Sequence, residues 1–246
     1  MNSSTEPIQT ELVLVGGGHA NIQVLKSFGM RPIAGLRVSL ISDVINAPYS
    51  GMLPGFVAGE YSHDEMHINL VQLANFANAR FIKTNITSID TLNRRIHCEG
   101  RPEISYDLIS VNTGITSDFG DIKGAREHCI AVKPISHFLS HLPNLDATVT
   151  TPKDVIAIIG SGAAGIELAF AFRARFNQKN IKPKIILIGS GERFFPTLPK
   201  KCHQTIYEQC RKADIEVHLG QVATQVSNKV VTLNSGVQLA ASHTFL

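Results

Sequence analysis

The sequence predicts an α/β fold of two similar units in tandem, each a three-layer arrangement of parallel sheet and helices with a small antiparallel hairpin insertion. Three observations predict it. The apolar run Leu12-Val13-Leu14-Val15 leads straight into Gly16-Gly17-Gly18. The apolar run Val155-Ile156-Ala157-Ile158-Ile159 leads into Gly160-Ser161-Gly162-Ala163-Ala164-Gly165. The strand, hairpin, strand order that follows the first glycine turn recurs after the second.

Each element follows from local chemistry. Residues 12–15 are uninterrupted apolar, as in a strand covered on both faces. Residues 20–28 read as a helix, with Ile22, Leu25 and Phe28 three apart and Gly29 as its stop. Strand, glycine turn and helix together form the dinucleotide-binding, Rossmann-type arrangement. Glycines let the backbone approach a pyrophosphate, and the helix N-terminus offers unpaired N–H groups and a partial positive charge. Asn21 stands where the GxGxxG pattern has its third glycine. That glycine serves helix–strand packing, so its loss is expected to loosen the motif and spare its phosphate chemistry. Residues 37–41 form the next strand. The acid that takes ribose hydroxyls falls at Asp43, or its place is taken by Ser42. The turn-rich but apolar segment 47–55 reads as a lining beside a flat apolar ligand. His63 and His67 are four apart, but Asp64 stands where a zincin has glutamate and no third ligand is in view. They read as a polar helix start and no metal site. A hairpin signal runs through residues 80–98, Gly100 turns, and a strand at 106–111 ends in Asn112-Thr113-Gly114.

The second half repeats this plan. Its GxGxxG is complete, a helix is expected at 163–176, and a strand at 184–188. An offset of 136 maps Ile86 to Val222, Gly100 to Gly236 and Ile109 to Phe245, the mark of a duplicated unit. On this register the sequence is expected to be a fragment, with apolar surface near Val217, Val231 and Phe245 uncovered. Pro134 and the polar stretch 144–153 separate the halves, so the expected domains are 1–150 and 151–246.

Composition sets limits on function. A 246-residue chain with 43% apolar and 17% charged residues is an ordinary globular protein of one or two domains. A net charge of +3, spread along the chain, does not fit a nucleic-acid partner. The four cysteines show no CxxC pair and no zinc spacing, so they read as free thiols of a reducing compartment and the cytoplasm is the expected location. Residues 1–10 lack the apolar core of a secretion signal. No stretch reaches the ~18 uninterrupted apolar residues of a membrane span.

The stretches LVLVGGGHANIQVLKSFGMRP, APYSGMLPGFVAGEYSHDE, YDLISVNTG, AVKPISHFL and GSGAAGIELAFAF resemble the two-dinucleotide-binding-domain flavoproteins of the pyridine nucleotide-disulfide oxidoreductase superfamily. The nearest resemblance is to the NADH dehydrogenase-like flavoprotein module found fused to selenide, water dikinase. Type II NADH dehydrogenases and sulfide:quinone reductases are more distant. The resemblance implies FAD in the first unit and NAD(P)H in the second. It places the FAD pyrophosphate at Gly16, Gly18, His19 and Ala20, and the ribose near Ser42 or Asp43. It sets the flavin ring near Ser50, Gly51 and Met52, the adenine near Ile86, and the diphosphate region near Thr113 and Gly114. It gives the NAD(P) pyrophosphate to Gly160, Gly162, Ala163, Ala164 and Gly165, and puts Glu167 in the place of an acid near the nicotinamide.

This chain departs from the pattern in lacking the redox CxxxxC of disulfide reductases. Cys129 lies where sulfide:quinone reductases have a reactive cysteine, but a small buried hydrophobe is the favoured reading. The implied chemistry is hydride transfer from nicotinamide to flavin and on to an unknown small-molecule acceptor, a quinone or one of selenium metabolism. A selenide, water dikinase domain is a candidate partner. No protein acid or base is singled out as catalytic. The alternatives are a nucleotide-binding fragment without turnover, and a peripheral NADH:quinone or sulfide:quinone reductase.

Overall fold

The computed structural model describes residues 7–246. The polar residues 1–6, part of the stretch read above as lacking a secretion signal, lie outside the described residues. Contacts group the chain into two compact units: the residues up to Tyr49 with Asp64–Gly114, and Ser50–His63 with Ile115–Leu246.

The first unit opens with β1 (Thr10–Val15), α1 (His19–Met30), β2 (Leu36–Ser42) and β3 (Asn46–Pro48). The chain then forms a 3-10 turn at Ser50–Met52 and α2 (Leu53–Ala58), both grouped with the second unit. It continues through α3 (His63–Met66), β4 (His67–Asn69), α4 (Leu70–Phe76), β5 (Arg80–Lys83), β6 (Ile86–Asp90), β7 (Arg95–Cys98), β8 (Arg101–Ser105) and β9 (Leu108–Val111). Four strands make a parallel sheet in the order β5-β2-β1-β9. β1 is therefore interior, and its apolar run has a cause on each face. Leu14 packs with Ile22, Leu25, Leu40 and Leu70. Val13 and Val15 pack with Ile41, Ile82, Ile96 and Tyr106. Each such burial contributes about 1.5–3 kcal/mol.

Two sequence expectations need correction here. Gly29 does not stop α1, which continues to Met30. A β-carbon at Gly29 would lie 2.3 Å from the Phe76 ring, so this glycine admits a neighbour. The segment 80–83 belongs to the parallel sheet, paired with β2. The antiparallel insertion starts at Ile86 and has three strands, β6-β7-β8.

The second unit continues with α5 (Ala125–His128), α6 (Ile135–Thr148), β10 (Val155–Ile159), α7 (Ala163–Gln178), β11 (Lys184–Gly189), α8 (Lys200–Lys212) and β12 (Ile215–Leu219). It closes with β13 (Ala223–Ser227), β14 (Val230–Leu233), β15 (Gln238–Ala240) and β16 (His243–Phe245). Its parallel sheet has the order β12-β11-β10-β16, and β13-β14-β15 form an antiparallel meander. The meander packs Val226, Val231 and Leu233 onto Ala157, Ile186 and Ile188. The stretch read as separating the halves is helical up to Thr148. Phe138 of α6 meets Phe245 at 5.8 Å and Phe172 of α7 at 6.4 Å between ring centres. Val231 and Phe245 are fully buried and Val217 half-buried, so the apolar surface expected there is covered.

The duplication is plain in the strand positions. β6 starts at 86 and β13 at 223, an offset of 137; β7 starts at 95 and β14 at 230, an offset of 135. Gly100 and Gly236, the paired turns, hold φ of +65° and +84°, a conformation that glycine adopts without steric cost.

Candidate functional site: two glycine turns

The first turn is built where β1 ends. Gly16 reverses the chain at φ +87°, and its N–H donates to the Ile41 carbonyl at 2.8 Å. On the other side of β1, β9 delivers Asn112. The Asn112 N–H donates to the Val15 carbonyl at 2.8 Å, and its own carbonyl accepts from the Gly18 N–H at 3.1 Å. Its side-chain Oδ1 accepts from the Ala20 N–H at 3.0 Å. A β-carbon on Gly16 would lie 2.5 Å from the Asn112 carbonyl oxygen and 2.8 Å from Thr113 Cα. One on Gly18 would lie 2.2 Å from Asn112 Oδ1. Both glycines are thus required by the protein itself. Gly16, Gly18, Ala20 and Thr113 meet at this turn.

Asn21 does not loosen the motif. It is fully buried, and its Nδ2 donates to the carbonyls of Val15 at 2.9 Å and Gly16 at 2.8 Å. Its Oδ1 accepts from Ser110 Oγ at 2.8 Å. Where a glycine would let helix and strand touch, the Asn21 carboxamide ties them through hydrogen bonds.

The remaining expected residues of the first site divide. His19 heads α1 and packs edge-on against Tyr49, ring centres 4.6 Å apart. Ser42 ends β2, buried, with Oγ accepting from the Val44 N–H at 3.3 Å. Asp43, next to it, is exposed, and of the two it alone offers its side chain to solvent. Ile86 packs half-buried on the cluster of Val13 and Val15. Ser50, Gly51 and Met52 belong to the second unit. Their turn runs into α2, whose last carbonyls are capped from α7: Arg175 Nη1 donates to Val57 O at 3.0 Å and Gln178 Nε2 to Ala58 O at 2.9 Å.

The second turn repeats the first with one difference. Gly160 holds φ +123° and donates its N–H to the Ile188 carbonyl at 2.8 Å, matching Gly16 to Ile41. A β-carbon at Gly160 or Gly162 would meet nothing within 4 Å. Gly162, at φ −75°, has a backbone any residue can adopt. The protein has no packing use for glycine there. Gly165 does have a packing use, since its β-carbon would lie 1.8 Å from the Gly160 carbonyl oxygen. Ala163, Ala164 and Glu167 are exposed, and no acid stands in the first turn of α7. These residues fit an anionic pyrophosphate: free amides, open space and no competing carboxylate. Both turns lie outside the carboxyl ends of interior parallel strands, where ligands of open α/β sheets bind.

Gly189, at the end of β11, is where such folds often carry a ribose-binding acid. A β-carbon there would lie 1.9 Å from Ser161 Oγ. Glu192 beyond it is exposed, and Arg193 donates to the Pro196 carbonyl within its own loop.

Other candidates carry less. Cys129 is half-buried in the second unit's core, and burial pushes its thiol up to about 11, so it is not poised as a nucleophile. Cys210 is buried in α8. A surface hollow of about 360 Å³ lies by Lys184 and Glu216, at the N-terminal edge of the strands. Its charges pair with each other, Lys184 to Glu216 at 2.6 Å and Lys182 to Asp214 at 3.6 Å. It lies at the opposite strand end from the Gly160 turn.

Two parallel sheets, each opening at an interior strand into a glycine turn, define a tandem dinucleotide-fold protein. Residues 10–246 match the model of the pyridine nucleotide-disulphide oxidoreductase family, and the chain belongs to it. The family's cofactors are FAD and a nicotinamide dinucleotide. Among relatives, the NADH dehydrogenase-like protein YutJ of Bacillus subtilis (strain 168) is 24% identical over 225 residues, covering 90% of this chain and 60% of that protein. The mitochondrial external alternative NAD(P)H-ubiquinone oxidoreductase B3 of Arabidopsis thaliana is 20% identical, covering 93% of this chain and 44% of that protein. The chain thus spans about half the length of the curated relatives it matches. In fold it is similar to NDH2 of Plasmodium falciparum in complex with NADH, with a TM-score of 0.80 at 18% identity, covering 96% of this chain and 54% of that one. Among the described residues no helix is long and apolar enough to cross a membrane.

Proposed function

We propose that this chain is the dinucleotide-binding part of an FAD-dependent NAD(P)H:acceptor oxidoreductase. Residues 1–150 take FAD and 151–246 take NAD(P)H. The observation that carries this is the repetition of one device: an interior parallel strand, a positive-φ glycine and a helix N-terminus, twice in one chain. When bound, FAD supplies at N5 the acceptor for the hydride of nicotinamide C4, and releases the electrons to a further acceptor. The protein's own part is binding and placement. Gly16, Gly18, His19, Ala20, Thr113 and Gly114 hold the first pyrophosphate, Asp43 or Ser42 the ribose, and Ile86 borders the adenine. Ser50, Gly51 and Met52 border the flavin ring. Gly160, Gly162, Ala163, Ala164 and Gly165 hold the second pyrophosphate, with Glu167 one turn into α7.

A quinone acceptor is supported by the Arabidopsis relative, an NAD(P)H-ubiquinone oxidoreductase. An acceptor of selenium metabolism, with a selenide, water dikinase domain as partner, is supported by the sequence resemblance, and a cytoplasmic location fits it. The test is the purified chain incubated with FAD, desalted, and titrated without oxygen with NADH or NADPH. Retained yellow colour that bleaches is expected. Colour that never bleaches would make the chain a binding module, and no retained flavin would overturn the reading.

A further inference from the structure

The end of the first unit's sheet opposite its glycine turn carries apolar side chains that the core leaves out. α1 and α4 both finish there, each leading through a loop into the start of a strand, β2 or β5. Met30 and Phe76, at or near the ends of these helices, are 64% and 55% exposed, and Ile33, in the loop after α1, is 58% exposed. Ile8, also exposed, joins them, since the Gln9 N–H next to it donates to the Gly35 carbonyl at 2.8 Å. The patch runs from one helix to the other, because Phe76 lies over Gly29, where a β-carbon would be 2.3 Å from its ring. Clustered exposed apolar side chains of this kind mark an interaction surface.

Charge decides what that surface faces. Residues 12–42 and 66–89, which build α1, α4 and the strands after them, contain no acid. Lys26 lies one turn before Met30 on the same helix face, and Arg31 follows it; both are exposed. Two acids, Glu11 and Asp107, do stand at this edge of the sheet. Glu11 is buried and bonded to both Arg37 and Arg80, which outnumber it. Asp107 accepts from the Glu11 N–H at 2.7 Å on the β9 side of β1, away from β2 and β5. An apolar tip ringed by cations matches a layer that is anionic at its surface and apolar within.

We propose that this end of the first unit is a docking surface for an anionic lipid membrane, with Met30, Ile33 and Phe76 entering the headgroup layer and Lys26 and Arg31 resting on its phosphates. Docked this way, the chain turns the Gly16–Gly18 end of β1 away from the lipid, open to a dinucleotide from solution. The proposal needs neither FAD nor NAD(P)H and stands apart from the functional reading.

The chain contains no tryptophan, so Met30→Trp supplies a single reporter at the patch. Leu92→Trp supplies another at a site that is 94% exposed elsewhere in the unit. The probes are vesicles of phosphatidylcholine alone and of phosphatidylcholine mixed equally with phosphatidylglycerol. Emission of Met30→Trp should shift to the blue with the mixed vesicles and not with phosphatidylcholine alone, and Leu92→Trp should shift with neither. In co-sedimentation, the double variant Lys26→Glu, Arg31→Glu should bind the mixed vesicles about tenfold more weakly or worse, because each cation near such a surface strengthens binding about fivefold. The double variant Met30→Gln, Ile33→Gln should lose about fivefold or more, and Leu92→Gln should stay within about twofold of the parent. A parent chain that ignores the mixed vesicles, or binds both kinds equally, would overturn the proposal. So would a loss from Leu92→Gln as large as that from the patch. A parent dimer dispersed by Met30→Gln, Ile33→Gln would assign the surface to a second copy of the chain and overturn it as well. The two tryptophan reporters decide the matter even where a charge-reversed variant does not fold.

Discussion

The hydroxyl of Ser161 occupies the space that any side chain at Gly189 would need: a β-carbon there would lie 1.9 Å from Ser161 Oγ and 2.4 Å from Ser161 Cβ. The glycine turn and the end of the next strand are therefore one packing unit, and residue 189 is bare for a steric reason. Gly189→Ala should lower stability by about 1–3 kcal/mol, the usual cost of overpacking. Adding Ser161→Gly should recover most of that loss. Urea unfolding of the two single variants and the double variant checks it, and simply additive losses would show that the two sites do not collide.

At Gly162 the opposite holds, since a β-carbon meets only open space. Gly162→Asp should therefore fold like the parent, with an unfolding free energy changed by no more than about 0.5 kcal/mol. It should lose binding of NADH or NADPH at least a hundredfold, because its carboxylate stands against the second pyrophosphate. Retained flavin alongside lost nicotinamide binding, read by fluorescence and calorimetry, would support one cofactor per turn. Flavin lost to the same degree would contradict it.

Asn21 breaks the glycine pattern, and Asn21→Gly would complete it. The structure predicts that this repair harms the protein. The change leaves the carbonyls of Val15 and Gly16 without their side-chain donor and Ser110 without its acceptor. A loss of about 1–3 kcal/mol is expected. Thermal denaturation of Asn21→Gly and Asn21→Ala would settle it, and a stabilised Asn21→Gly would refute the role assigned to the carboxamide.

Asp146 of α6 anchors α7 through Arg175 Nη2 at 2.5 Å and Lys179 Nζ at 2.7 Å. Burial pushes its carboxyl up, but these cations outweigh it and hold it below the usual carboxylate range. A depressed folded-state value means the stabilisation is present above the unfolded carboxyl's value, about 3.9, and is lost as pH falls through the lower folded value. Asp146→Asn should cost about 1–3 kcal/mol at neutral pH. The gap between variant and parent should narrow below about pH 4. A gap independent of pH would locate the effect in packing rather than charge.

The strands and turns of this fold were legible because burial on two faces leaves a mark: the short apolar runs 12–15 and 155–159, each ending at a glycine turn, are typical of interior strands. The complete Gly160-Ser161-Gly162-Ala163-Ala164-Gly165 motif was equally plain. What stayed hidden was chemistry that depends on a partner far along the chain. Gly29 looked like a helix stop until Phe76 was seen lying across it. Asn21 looked like a defect until Ser110, 89 residues on, supplied its partner. Asn112 read only as the residue that closes a strand, because its bonds to the Gly18 and Ala20 N–H groups, more than 90 residues back, exist only in the fold. The third strand of the first antiparallel insertion was not legible because residues 101–105, mostly polar and exposed, show no apolar alternation.

Timing follows from how β1 is flanked. Val13 pairs with Ser39, which is 26 residues later, and with Ile109, which is 96 residues later. On a ribosome adding ~5–20 residues per second, the second neighbour arrives roughly 4–14 s after the first. Through that interval one edge of an apolar strand stands open, a template for mispairing. The phosphate turn is also unfinished, since Asn112 is made after all of it. A nascent chain stalled before residue 112 should therefore be bound by chaperones and take up no dinucleotide, and both properties should change together within the next few residues released.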